Sequence, residues 1–323
     1  MPQTSIIIVS HNGLRDTTAP CLESIFANSG EGAGGNFEVI VVDNHSSDET
    51  PAYLKSLMQR EPRLRCVFNE SNRGFAGGNN DGIKIASGAI LILLNSDCIV
   101  TGNWIEGLRA PLLEGQAVGL VGPVSNSVGN EQRIFTIGFT PREIIEEGLR
   151  WVSNSGGGRF ETEMLGFFCV ALRRDVLDRV GMLDESFGLG FYEDDDYCIR
   201  ARRAGYKLIC AEDVFVYHRG GGSFGRTGKG TRRLMKQNWR KLEKKHALRM
   251  KRSHPRDLHM RVIEGYLEPG APDGLSAQLQ YRISNRLRLI ESQMPRGIFK
   301  RWAFCRRLSS LGRLCISRGI ASL

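Results

Sequence analysis

The sequence has no C-x-x-C pair, no long apolar run and no leader-like start, and each absence closes a class of protein. Its eight cysteines, at 21, 66, 98, 169, 198, 210, 305 and 315, are scattered. No spacing among them fits a zinc ribbon or a dithiol redox motif, so a reduced, cytoplasmic compartment is expected. The longest apolar runs, Ile6 to Val9 and Ala89 to Leu94, fall far short of the roughly 20 residues that span a bilayer. Any membrane association is therefore expected to be peripheral, on the inner face. Met1 to Thr4 lead straight into an apolar segment, without the basic region and small-residue cleavage site of a secretion signal. The glycine-rich piece Gly74 to Gly78 lacks both the P-loop pattern and the dinucleotide fingerprint. Close helix packing explains those glycines as well as ligand contact does.

The signature of disorder is also missing. Hydrophobic residues make up 41% and charged residues 24% of 323, a globular balance with enough chain for a well-buried core. The charge is unevenly placed. Residues 1 to 218 carry 19 Lys+Arg against 29 Asp+Glu, a balance of −10; the remainder carry 25 against 6, a balance of +19. The change of sign marks a boundary between a first unit, expected at 1–224, and a basic, mainly helical region, 225–323.

Three short runs, Ser5 to Val9, Phe37 to Val42 and Ala89 to Leu94, read as buried strands. Helical candidates lie between them, around 17–27, 50–59 and 79–86. Alternating strands and helices predict an α/β fold with a largely parallel sheet covered on both faces. Ligands in such sheets bind beyond the carboxyl ends of the strands. Three polar clusters sit at those ends: Ser10-His11-Asn12, Asp43-Asn44-His45-Ser46-Ser47-Asp48 and Asn95-Ser96-Asp97. Each could simply cap the following helix or fill a turn.

Two further stretches carry chemistry. Glu193, Asp194, Asp195 and Asp196 are four adjacent carboxylates between aromatic and apolar residues. A helix beginning here would be favoured by acids at its N-terminus. Helical spacing would pair Asp196 with Arg200 and leave at least one acid facing a cleft as a general base. His218 ends the strand-like run Val214 to Tyr217 and precedes a glycine run, 220–222, as in a loop that moves over a phosphate.

Residues 232–251 read as a densely basic helix, Pro255 and Pro269 to Pro272 break the pattern, and helical character returns from Leu275. Near the C-terminus, Ile298, Trp302, Cys305 and Leu308 recur at near-helical spacing among Lys300, Arg301, Arg306, Arg307 and Arg313. Such a basic amphipathic helix can lie on an anionic membrane, or can pack its stripe on the catalytic domain or in a dimer. No nucleic-acid-binding motif accompanies the basic charge.

The ordered set Ser5 to Asn12, Val41 to Thr50, Asn72 to Asn80, Leu93 to Asp97 and Tyr192 to Asp196 resembles family 2 glycosyltransferases, from about residue 4 to about residue 224. The Asn72 to Asn80 segment is similar to the branch containing bacterial rhamnosyltransferases of surface-polysaccharide assembly. The resemblance implies a GT-A fold and a nucleotide-sugar donor, dTDP- or UDP-linked. It implies that Asp43 holds the base, that Ser10 and Asn12 lie on the adjoining loop, and that Arg73 lies near the base or ribose. Asn79, Asn95 and Ser96 complete the implied nucleotide set. Asp97 would be the metal-binding acid of a D-x-D element whose first position is here the uncharged Asn95, and His218 would complete a site for Mn²⁺ or Mg²⁺. Asp194, flanked by Glu193 and Asp195, would be the general base that deprotonates a hydroxyl of a glycan or lipid-linked acceptor, with inversion at the anomeric carbon. A sugar-nucleotide pyrophosphorylase would need a glycine-rich, basic N-terminal signature, whereas residues 10–20 hold only Gly13 and Arg15. A non-catalytic module that binds nucleotide and metal and docks on a membrane is the other alternative.

Overall fold

The computed structural model describes residues 3–29, 36–220, 228–249, 253–268 and 276–317. The predicted first strands are β1 (Thr4–Ser10), β2 (Phe37–Asp43) and β4 (Ile90–Asn95), with β3 (Leu64–Phe68) added at the edge. They run parallel in the order β3-β2-β1-β4. Parity assigns their side chains to two faces. Ile6, Ile8, Val39 and Val41 face one helical layer, made by α1 (Ala19–Asn28), α2 (Thr50–Met58) and, after the short β5 (Cys98–Val100), α4 (Trp104–Glu114). Ile7, Ile40, Val42, Leu91 and Leu93 face the other.

That second layer includes α3 (Gly74–Ile85), which starts well before the predicted 79–86 and takes the glycine run into its first turns. A Cβ on Gly78 would lie 2.7 Å from Val9, and one on Gly82 would lie 2.5 Å from Ile7. These two glycines therefore let the helix approach β1 closely.

Beyond β4 the sheet becomes mixed. β6 (Val118–Val124), β7 (Arg159–Thr162), β8 (Cys169–Arg173) and β9 (Lys207–His218) continue it in the order β4-β8-β6-β9-β5, with β7 also on β9. β8 is antiparallel to β4 and β6, and β6 is parallel to β9. Helices α5 (Pro141–Ser153), α6 (Arg174–Val180) and α7 (Glu193–Arg203) lie in this half.

The basic region is helical, and its helices join two different cores. In α8 (Lys229–His246), Leu242 is buried with Phe187, Tyr192 and Ile199 at the entry to α7. Helices α9 (Pro255–Tyr266), α10 (Ala277–Ser292) and α11 (Ile298–Ser317) build a third core around Met260, Ile263, Ile283, Leu287, Phe304 and Leu311. Pro255, expected to break the helical pattern, instead opens α9 at its first position, where the missing N–H has no intrahelical partner to lose. Pro269 to Pro272 and Leu275 lie outside the described residues, as does the glycine run from 221.

Candidate active site

Asp97 and His218, far apart in sequence, are brought together by strand register. β5 pairs antiparallel with β9 so that Cys98 stands opposite His218, and Asp97 immediately precedes that pair. Asp97 Oδ1 lies 3.3 Å from His218 Nε2, with both side chains mostly buried. The imidazole is held on three sides. Its Nδ1 lies 2.7 Å from the Ser127 carbonyl, its ring stacks on Phe168 with centroids 5.2 Å apart, and Asn126 bonds both the N–H and the C=O of its backbone. A carbonyl can only accept, so Nδ1 carries a proton and Nε2 faces Asp97, as an N–H donor when the ring is protonated and as a lone pair when it is neutral. Burial lowers the pKa of His218, but the Asp97 carboxylate and the Ser127 carbonyl outweigh it, and the net direction is upward.

These two groups suit a divalent cation: one carboxylate oxygen and one imidazole nitrogen whose other nitrogen is fixed by a backbone carbonyl. Cys98 Sγ is within reach of both. However, the thiol is fully buried and faces the Phe168 carbonyl at 3.5 Å, and burial pushes its pKa well above the usual thiol range. Asp97, Cys98, Tyr217 and Arg219 line a cavity of about 340 Å³ with Asp16, Thr17, Pro20, Ile99 and Pro141.

At the ends of β1 and β2 the polar clusters interlock. Asn12, at φ 58°, accepts from the Ser47 N–H at 2.8 Å and donates its own N–H to Ser46 Oγ at 2.8 Å. Ser10 Oγ is buried against Thr18 Oγ1 at 2.7 Å. Asp43 is 3% exposed; Oδ2 accepts from the Ser46 N–H, while Oδ1 is buried with no hydrogen-bond partner among the described residues. The sequence reading passed over Asn44 as a functional residue. Its amide donates to Asn72 Oδ1 and the Gly74 carbonyl and accepts from Asn69 and the Arg73 N–H, tying the 69–74 loop to the end of β2.

Arg73 itself is engaged by Asp81 and by Glu185, the latter at 2.8 Å. Asn79 is buried and donates to the Phe75 carbonyl of its own helix. Asn95 and Ser96 are half-buried at the end of β4, next to Asp97.

The four acids begin α7, as helix-terminus electrostatics anticipates. Asp196 is fully buried and saturated by Arg200, Lys245 and His246 at 2.8, 2.6 and 2.8 Å. The expected i, i+4 pair is thus present, and two partners come from α8. Glu193 is buried with Oε2 unpartnered among the described residues; burial and the Asp194 charge push its pKa up to about 8. Asp194 and Asp195 are half-buried, and burial raises both, Asp195 well above the usual range. Asp194 Oδ1 accepts from the Asp195 N–H at 2.9 Å.

Phe191 and Tyr192, which lead into this turn, both sit at positive φ, 74° and 75°, where bulky side chains are strained. Asn238 of α8, 5% exposed, faces the Phe187, Gly190 and Phe191 carbonyls with its amide nitrogen at 2.8, 2.9 and 3.2 Å. Sequence alone gave no hint of it, because its partners are backbone carbonyls.

Residues 5–181 match the family described as Glycosyl transferase family 2. The chain is 28% identical over 219 residues to Glycosyltransferase AglE of Haloferax volcanii, covering 68% of this chain and 67% of that protein. It is 27% identical over 234 residues to the uncharacterized protein y4gI of Sinorhizobium fredii, covering 67% of this chain but only 24% of that longer protein. Among solved structures it is similar to GalNAc-T7 crystallised with UDP, GalNAc and Mn²⁺, with a TM-score of 0.55 at 17% identity over 88% of this chain and 54% of that one. The shared architecture is the GT-A fold.

Proposed function

We propose, from the premise that this chain belongs to glycosyl transferase family 2, that it moves a sugar from a nucleotide diphosphate to an acceptor hydroxyl. The observation that carries the reading is the Asp97–His218 pair, 3.3 Å apart, with the second imidazole nitrogen committed to Ser127. Asp97 and His218 would hold Mn²⁺ or Mg²⁺; GalNAc-T7, with which the chain shares its fold, was solved with Mn²⁺. When bound, such a cation supplies positive charge where the leaving diphosphate becomes more negative.

The chain's own groups do the rest. The orphaned Asp43 Oδ1 offers an acceptor to a base N–H beside Ser10 and Asn12, and we assign Arg73, Asn79, Asn95 and Ser96 to the rest of the nucleotide. Asp194, with Glu193 and Asp195 beside it, accepts the acceptor hydroxyl's proton. That oxygen then bonds the anomeric carbon as the bond to the diphosphate oxygen breaks, and attack from the opposite face inverts the centre. The buried acids have raised pKa values, which supports a base poised nearer neutrality than a free carboxylate. Rhamnose from dTDP-rhamnose is our choice of donor, with a UDP-sugar as the alternative, and a glycan or lipid-linked hydroxyl of surface polysaccharide our choice of acceptor. The enzyme then works at the inner face of the membrane, and residues 1–224 form its catalytic domain.

Thermal shifts with UDP, dTDP, GDP and CDP, each with and without Mn²⁺ or Mg²⁺, test the reading. A nucleotide at about 100 times its dissociation constant should stabilise the fold by roughly 2.7 kcal/mol. One nucleotide should give a metal-dependent shift that Asp97→Ala abolishes. No shift with any nucleotide would remove the basis for transferase activity, and donor turnover separates an enzyme from a binding module.

A further inference from the structure

The last helix sends its apolar residues in two directions. Phe304, Leu311 and Cys315 are buried, with Cys305 and Leu308 packed beside them, in the core shared with α9 and α10. At the start of the same helix Ile298, Phe299 and Trp302 are 85%, 88% and 64% exposed. The stripe read from sequence thus divides: Cys305 and Leu308 pack inward, and Phe299, absent from that stripe, joins Ile298 and Trp302 outside.

The surroundings of the exposed trio are positive. Arg296, Lys300, Arg301 and Arg306 are exposed, the Arg306 guanidinium lies over the Trp302 ring at 5.8 Å, and the sequence holds no Asp or Glu after Glu291. Arg307 turns aside to Asp257 at 3.1 Å and Glu264 at 3.8 Å.

We propose that the first turns of α11 form a docking surface for an anionic lipid bilayer, with Ile298, Phe299 and Trp302 entering the headgroup region and the basic side chains meeting lipid phosphates. Large apolar groups beside cations suit the boundary between headgroups and acyl chains, where each finds its own solvent. A second copy of the chain would bring like charge against like charge on this patch, and a nucleic acid would leave Ile298 and Phe299 in water. The proposal rests on the transferase reading only for its purpose, since a lipid-linked acceptor would lie on that surface.

Sedimentation with vesicles made of equal parts phosphatidylglycerol and phosphatidylcholine provides the test, with phosphatidylcholine vesicles as reference. The full chain should pellet with the anionic vesicles at low salt, release as salt rises, and ignore the neutral ones. Replacing the trio together (Ile298→Ser, Phe299→Ser, Trp302→Ser) should weaken binding by about tenfold or more, and Lys300→Glu with Arg301→Glu should weaken it comparably. All five side chains are exposed, so both variants should keep the nucleotide-induced thermal shift, which also certifies their folding. The proposal is overturned if the unaltered chain stays in solution with anionic vesicles at low salt, if either variant pellets like the parent, or if the patch instead drives self-association or binding to a single-stranded oligonucleotide. Loss of every nucleotide shift with vesicle binding intact would remove the transferase reading and leave this one standing.

Discussion

Four adjacent carboxylates need not share a role, and their partners separate them. Asp196 is saturated by Arg200, Lys245 and His246, which withdraws it from acid–base chemistry. Asp194 is half-buried with one oxygen committed to a backbone N–H. Asp194→Asn should therefore retain the nucleotide shift while turnover falls by about 10²-fold or more; near-normal turnover would take Asp194 out of the role of base. Glu193 gives a pH test. Its pKa is raised from 4.5 to about 8 in the fold, so the folded state favours the protonated form. Its contribution to stability is complete below 4.5 and is lost as the pH rises toward 8. Glu193→Gln should flatten the fall in melting temperature across that window, and an unchanged slope would mean that another group sets it. The cluster was legible in the sequence because consecutive acids between apolar residues are unusual. The division of labour within it was not, because Lys245 and His246, which claim Asp196, sit on a helix some fifty residues away.

Elements read from sequence fared according to how much of their stability is local. β1, β2 and β4 were visible as apolar runs, interrupted in β2 by Glu38, because both of their faces are buried. The start of α3 was not visible: glycine disfavours helix locally, and the close approach to β1 decides its form. β5 and β8, which set the register at Asp97 and Cys169, are only 3 and 5 residues long, too short for periodicity to show. α8 was foreseen as a basic helix, but its bearing on the site was not. Through Asn238 it holds the strained 187–191 segment, and through the edge-on contact of Trp239 with Tyr192, 5.5 Å between centroids, it packs the turn. Asn238→Ala leaves the buried Phe187 and Gly190 carbonyls short of a donor and should cost about 1–3 kcal/mol. Because the affected turn carries Glu193 and Asp194, turnover should fall by more than nucleotide affinity does. Equal losses in both would mean that the turn keeps its shape without the amide.

Across the whole molecule, the opposite charges of the two parts of the chain become contacts between them. Lys245 reaches Asp184 at 2.7 Å as well as Asp196, and Arg282 and Arg286 reach Glu212 of β9 at 2.6 and 2.7 Å. The charge reversal in the sequence thus marked where one part docks on the other, with surplus positive charge left on α8 and α11. Glu212 is the deepest of these contacts. Both it and Arg286 are fully buried, Tyr266 donates its hydroxyl to the same carboxylate, and Arg286 also donates to the Glu131 carbonyl. Burying an ion pair gives little net stability, yet removing one partner strands the other in a low-dielectric site at about 3–5 kcal/mol. Glu212→Gln would strand two guanidiniums. Set against a typical stability of about 5–15 kcal/mol, that loss should loosen the α9–α11 core from β9 before the sheet unfolds. Urea titration followed by limited proteolysis should then show an early transition with cleavage among residues 250–317, ahead of the main one. A single transition with an unchanged midpoint would mean that apolar packing alone holds the helical region to the sheet.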